Sequence, residues 1–233
     1  MEESMEPTDN KSRLLGLAFL VQFISSFTSG VFMFPRATGV QAFGSPLSIN
    51  QIMANIVRNA GLLRLDILVD FITAAGVIFL GAMLYSTVRR QNEGMALTAF
   101  GLYVLSAALL AVKMTMLYAL LFISRQFFAA ESPASLGPMA GMIYEVIEYS
   151  AKMHSLAVGL SLTIFYALLL KTRSVARPLA IWGLVGILGV IAGVTLGLLG
   201  TEAPFFLFAV YAPFELVIAI WILTKGVRKE RTN

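Results

Sequence analysis

Long apolar runs, broken by short charged punctuation, set the pattern of this chain. An α-helix needs about 20 predominantly apolar residues to cross the hydrocarbon core of a bilayer. Six segments meet that requirement, at 14–34, 61–88, 94–124, 141–170, 178–200 and 203–224. No stretch shows the short period-two alternation that a transmembrane β-barrel requires. The predicted fold class is therefore all-α, a polytopic transmembrane helical bundle formed by a single domain at 14–226. Tails at 1–13 and 227–233 flank it. The connection at 35–60 is longer than the others. It opens with the turn residues Pro35, Gly39, Gly44 and Pro46, and then Ser48 with Gln51 makes a capping-box pattern at the start of a helix. Ile52, Ile56 and Leu63 recur at helical spacing, which predicts a short amphipathic helix on the membrane interface. The same residues also fit a reading as the first turns of the second span.

Composition supports a lipid solvent. Hydrophobic residues make up 58% and charged residues 13%, against roughly 45–50% and 25% in soluble domains. The formal net charge of +4 does not gather into the continuous basic surface that nucleic acid needs, so no nucleic-acid partner is expected. Instead the positive charges sit at the ends of the apolar runs. Lys11, Arg13, Arg89, Arg90, Lys171, Arg173, Arg177, Lys225, Arg228, Lys229 and Arg231 all fall on one side of a six-span arrangement, and only Arg36, Arg58 and Arg125 on the other. Basic loops stay in the cytoplasm, so both termini are expected inside. The uncharged run at 14–35 is too long for a cleaved leader and reads as a retained first span. There are no cysteines, which excludes disulfides, thiol redox chemistry and thiolate metal sites.

The distinctive feature is charge inside the spans: Arg64, Asp66, Asp70, Lys113, Glu145, Glu148, Lys152 and Glu215. One charge at the bilayer centre costs about 2.5–3.5 kcal/mol on the lenient insertion scale, so these residues must pair, line water or reach a headgroup. At about 1.5 Å per residue, Asp70 lies about 13 Å from the outer end of its span and Lys113 about 16 Å below its own. Arg64, Asp66, Glu145, Glu148 and Lys152 also fall in the outer half, with Glu215 near the middle. Asp66 and Asp70 share a helical face, as do Glu145, Glu148 and Lys152, and Glu148–Lys152 is a favourable i,i+4 pair. A single methylene prevents Asp70 from snorkelling, and Arg64 lies about 120° away around the helix, so a partner from another helix is expected, with Lys113 at matching depth. Gly189, Gly193 and Gly197 recur every fourth residue, which suits close packing inside the bundle or a homo-oligomer face.

Catalytic signatures are missing. The lone His154 faces away from Lys152 and Glu145 and reads as an interior side chain. There is no His-Glu-x-x-His, no Walker loop and no Gly-x-Ser-Gly. Glu145-x-x-Glu148 lacks the histidine of a di-iron helix. No cofactor, metal or catalytic residue is expected.

Several stretches together resemble a bacterial membrane family, domain of unknown function 4386. They are Asn59-Ala60-Gly61-Leu62-Leu63-Arg64-Leu65-Asp66-Ile67-Leu68-Val69-Asp70; Leu84-Tyr85 before Arg89; Arg177 with Leu179-Ala180-Ile181-Trp182-Gly183-Leu184-Val185-Gly186; and Pro213-Phe214-Glu215-Leu216, continuing to Trp221 and Lys225-Gly226. The resemblance covers about 14–227. It implies a multi-pass bacterial membrane protein of six to seven helices with no assigned activity, in which Arg64, Asp70, Glu215 and Trp221 are family positions. The chain departs from the family with Ala176-Arg177-Pro178 before the fifth span, and with Tyr103 and Ser106 where charges are found in the family.

The residues leave three readings of function open. In the first, the intramembrane charges line an outward-facing pocket for a small ligand or ion in a plasma-membrane protein. In the second, they are ion pairs that lock helices of a structural or regulatory subunit. In the third, a carboxylate serves a membrane enzyme. Broken helices would favour the first.

Overall fold

The computed structural model describes residues 10–41, 44–129 and 135–227. Among them the chain is helical with no strand: α1 (Asn10–Phe27), a π turn (Thr28–Met33), α2 (Phe34–Thr38), α3 (Ile49–Arg58), α4 (Ala60–Val88), α5 (Glu93–Phe127), α6 (Leu136–Thr172), α7 (Arg177–Leu198), α8 (Phe206–Ala209) and α9 (Ala212–Lys225). Among the described residues, six helical stretches are long and apolar enough to cross a membrane: Asn10–Thr38, Ala60–Val88, Glu93–Phe127, Leu136–Thr172, Arg177–Leu198 and Phe206–Lys225. The chain is a multi-pass, membrane-type helical bundle.

Local chemistry sets most of the boundaries. The Ser48 hydroxyl accepts from the Gln51 amide while the Gln51 side chain accepts from the Ser48 amide, which completes the capping box that opens α3. Asn92 caps α5 by accepting from the Met95 amide. Pro178 occupies the first turn of α7, where its missing N–H is harmless. The third and fourth spans run a few residues beyond the expected 94–124 and 141–170, and two spans depart in form as well. The first runs past 34 through Pro35 to Thr38, because the π turn hands the chain to α2 with Pro35 in its first turn. The sixth is split at Val210–Tyr211. Pro213 has no amide to continue the ladder, and the Trp182 indole N–H donates to the Val210 carbonyl at the break (3.0 Å).

The spans pack in chain order, α1 on α4, α4 on α5, α5 on α6 and α6 on α7, and the ring closes where α9 packs on α1. The Ser12 hydroxyl accepts from the Val227 amide, so the described chain ends meet at one end of the bundle. The opposite end carries α3, which packs on α2, α4, α5 and α6. The bundle thus has a terminal end and an α3 end.

The bundle is inverted relative to a soluble protein. On α4, Leu65, Leu68, Phe71 and Ile72 are exposed while Asp66, Asp70 and Thr73 are buried. That is the arrangement a lipid solvent selects, since apolar side chains lose nothing by facing acyl chains and ionisable groups turn inward. Two large apolar cores form inside, with a small cluster of Ala74, Ala107 and Leu110 besides. One, at the terminal end, includes Leu15, Leu84, Tyr103, Phe165, Tyr166, Phe214 and Ile222. The other, at the α3 end, includes Ile52, Met53, Ile56, Leu63, Leu117, Leu120 and Ile147. Asp66, Asp70 and Lys113 lie in the stretches of α4 and α5 between these cores.

Gly189 and Gly193 are used within the chain. A methyl group on Gly189 would stand 2.9 Å from the Leu207 carbonyl oxygen, and one on Gly193 2.5 Å from the Phe208 ring. Both glycines admit the split sixth span against α7. A methyl on Gly197 would meet nothing within 4 Å.

Candidate functional site

The polar residues between the two cores form a compact knot. Lys113 on α5 donates to Asp70 Oδ2 on α4 at 2.7 Å, with both side chains largely shielded. The Ser29 hydroxyl donates to Asp70 Oδ1, also at 2.7 Å. Asp70 is therefore gripped from two other helices. The Lys113 ammonium also lies 5.3 Å from the centroid of the Phe34 ring, within cation–π range. Ser29 belongs to the π turn, and its carbonyl receives the Phe34 amide five residues later. A π turn widens the helix by one residue and is often found at functional sites.

Asp66, one turn earlier on α4, is fully buried, and neither carboxylate oxygen has a donor at hydrogen-bond distance among the described residues; the Ser29 hydroxyl lies near it too, but its single hydrogen goes to Asp70 at 2.7 Å. Nearly all buried polar groups are satisfied, so this one needs an explanation. His154 on α6 donates from Nδ1 to the Ser106 carbonyl at 2.9 Å, which fixes its proton on that nitrogen. It is a satisfied interior histidine, as its position on the helix predicts.

The other charged residues of the spans do not join the knot. Arg64 and Glu145 are exposed. Glu148 accepts from the Tyr144 hydroxyl at 3.2 Å. Lys152 does not pair with Glu148, despite the i,i+4 spacing. Its ammonium rests 5.7 Å from the Tyr149 ring centroid instead, and among the described residues the sole ion pair is Asp70–Lys113. Glu215 lies apart, half-buried on α9 beside the Tyr211 hydroxyl. Tyr211 in turn shares a hydrogen bond with Tyr166 at 3.0 Å.

Glu148 and Lys152 instead line an open groove of about 640 Å³. Its walls are α6 at Ala151 and Ser155, α7 at Gly193 and Gly197, and the segment Thr201, Glu202 and Ala203 leading to Phe208 on α8. Gly44, from the connection before α3, also borders it, so the groove lies at the α3 end. Small side chains create the space, and two carboxylates with one ammonium give it its charge.

Sequence reasoning missed Ser29, the split at Val210 and the groove. Pro213 two residues before Glu215 was a readable sign of the split. Nothing in the hydropathy pattern marks the π turn. Among the described residues, no three His, Cys, Asp or Glu side chains converge as a metal site would require.

One family profile matches residues 14–226, and it is described as a domain of unknown function, DUF4386. No curated protein and no solved structure matches the chain.

Proposed function

The chain belongs to the DUF4386 family, and on that footing we propose that it is a membrane-embedded binding protein of transport-like build. Its ligand is a small cationic or zwitterionic molecule, taken up from the α3 end. The observation that carries this reading is the groove of about 640 Å³ holding Glu148, Lys152 and Glu202 without an ion pair among them. Its size falls within the roughly 300–1,000 Å³ of small-molecule sites, and two carboxylates against one ammonium favour a ligand with at least one positive group. The sixth span passes the same groove: Pro213 interrupts its hydrogen-bond ladder while Val210 and Tyr211 keep helical dihedrals, and Phe208, just before them, lines the groove. The asymmetry of basic loops supports an extracytoplasmic α3 end, and the plasma membrane is the proposed location. The Asp70–Lys113 pair supports a structural role for that part of the charge set, as in a helix-locking subunit.

The natural lack of cysteine allows a direct test. Thr201→Cys, at the groove, should react with an impermeant thiol reagent in intact cells. A panel of small amines and amino acids should contain a compound that slows the reaction in this variant, but not when Glu148→Gln or Lys152→Gln is added. Labelling of Asn92→Cys instead would reverse the orientation. Labelling of Thr201→Cys that no member of the panel slows would overturn the binding reading.

A further inference from the structure

The unsatisfied carboxylate of Asp66 carries a second, separate reading. The knot holds two carboxylates, Asp66 and Asp70, on one face of α4. It holds one cation, Lys113, and that ammonium is already engaged with Asp70 at 2.7 Å. The remaining neighbours supply no further positive charge. Ser29 of the π turn donates its hydroxyl hydrogen to Asp70. On α6, His154 stands within electrostatic reach of Asp70 and Lys113, but its Nδ1 proton is committed to the Ser106 carbonyl. Arg64, on the same helix as Asp66, is exposed. The knot is therefore one positive charge short, and the shortage falls on a side chain with no exposed surface and two oxygens lacking a donor.

A buried carboxylate that must share its one nearby cation with a second carboxylate is strongly disfavoured, so a bundle that keeps Asp66 there must supply the missing charge by another route. The site is too sparse for a divalent ion, since no three acidic or imidazole groups converge among the described residues. We propose that Asp66, backed by Asp70 and Ser29, is a binding site for a single positive charge, supplied by a proton or by an alkali cation. The two sources share one chemistry, monovalent charge on a carboxylate oxygen. Lys113 acts as the fixed cation that keeps Asp70 occupied, so that only Asp66 exchanges. The residues are distinct from those of the groove, and the site stands or falls independently of the ligand proposed there.

The test uses the full chain in lipid nanodiscs. Infrared difference spectra between wild type and Asp66→Asn, in sodium-free choline buffer near neutral pH, read whether a protonated carboxyl carbonyl belongs to Asp66. Radioactive sodium binding on the same samples reads an alkali ion. A carboxyl band present in wild type and lost in Asp66→Asn, unchanged by added sodium, supports the site with a proton as its occupant. One sodium bound per wild-type chain and lost in Asp66→Asn supports it with an alkali ion. If Asp66→Asn does not fold, wild type labelled with carbon-13 at aspartate carboxyls gives the same answer from its NMR spectrum with and without sodium. An Asp66 that stays ionised in wild type with no stoichiometric monovalent cation overturns the proposal. So does a divalent ion that displaces sodium from the wild-type chain at equal concentration.

Discussion

Two clusters of carboxylates and lysine are set into this bundle, and they end in opposite states. In the knot, Asp70 and Lys113 come from different helices, meet at 2.7 Å and are shielded from both lipid and water. In the groove, Glu148 and Lys152 come from one helix, four residues apart, and do not meet. Lys152 lies against Tyr149 and both side chains border open space. The helical spacing of the second pair looks the more favourable on paper. The difference lies in the neighbours. Around Asp70, the π turn and α5 close in and remove the alternative of solvation, so the charges must neutralise each other. Along the part of α6 nearest the α3 end, the glycines of α7 and the split sixth span leave a gap, and an i,i+4 pair worth about 0.2–0.5 kcal/mol does not hold two side chains together.

The contrast is most exposed to failure at the ion pair itself. Asp70→Asn breaks the buried pair, leaves Lys113 with only the more distant Asp66 carboxylate as counter-ion, and should lower stability by up to about 3–5 kcal/mol. Asp70→Asn with Lys113→Met should recover most of that loss, while Glu148→Gln should cost less than about 0.5 kcal/mol. Denaturant unfolding in a fixed detergent measures all three, and equal losses at Asp70 and Glu148 would erase the distinction drawn here. A smaller effect comes from the glycines. Gly189→Ala drives a methyl against the Leu207 backbone and should cost about 1–3 kcal/mol. Gly197→Ala meets open space and should be neutral or slightly stabilising by helix propensity, about 1 kcal/mol at most. Thermal denaturation of the pair separates the packed part of α7 from the part that borders the groove. The smallest effect is at the split of the sixth span, where Trp182→Phe removes the hydrogen bond to the Val210 carbonyl and should cost about 1 kcal/mol, read from the midpoint of the same melt.

Much of the architecture was legible because it is written locally. Hydropathy located the six spans, and Ser48 with Gln51 announced α3 through a motif only four residues long. The partner of Asp70 was legible too, since depth along two antiparallel helices follows from counting residues. Features that depend on how helices meet were not legible. Ser29 reaches Asp70 only because the first span changes from α to π hydrogen bonding at Thr28, and nothing in the run Thr28-Ser29-Gly30-Val31-Phe32-Met33 differs from an ordinary apolar helix. Glu148 and Lys152 fail to pair for the same kind of reason, as the gap beside them is made by residues some forty to sixty positions later in the chain.

The π turn has a consequence for how this chain tolerates changes of length. It accommodates one residue more per turn than the helix on either side of it. Deleting Gly30, whose surroundings are open, would let the segment relax into a plain α-helix without disturbing the hydropathy of the span. Everything beyond it would keep its facing around the helix axis, because the wide turn is where the extra residue is absorbed. The Phe34 ring would stay beside the Lys113 ammonium, and Thr38 would keep the Asn55 side chain that donates to its carbonyl. A variant one residue shorter would insert into the bilayer normally, keep α2 in register with the mouth of the bundle, and lose chiefly the reach of the Ser29 hydroxyl to Asp70. One surplus residue, more than the composition of the first span, ties that span to the polar interior.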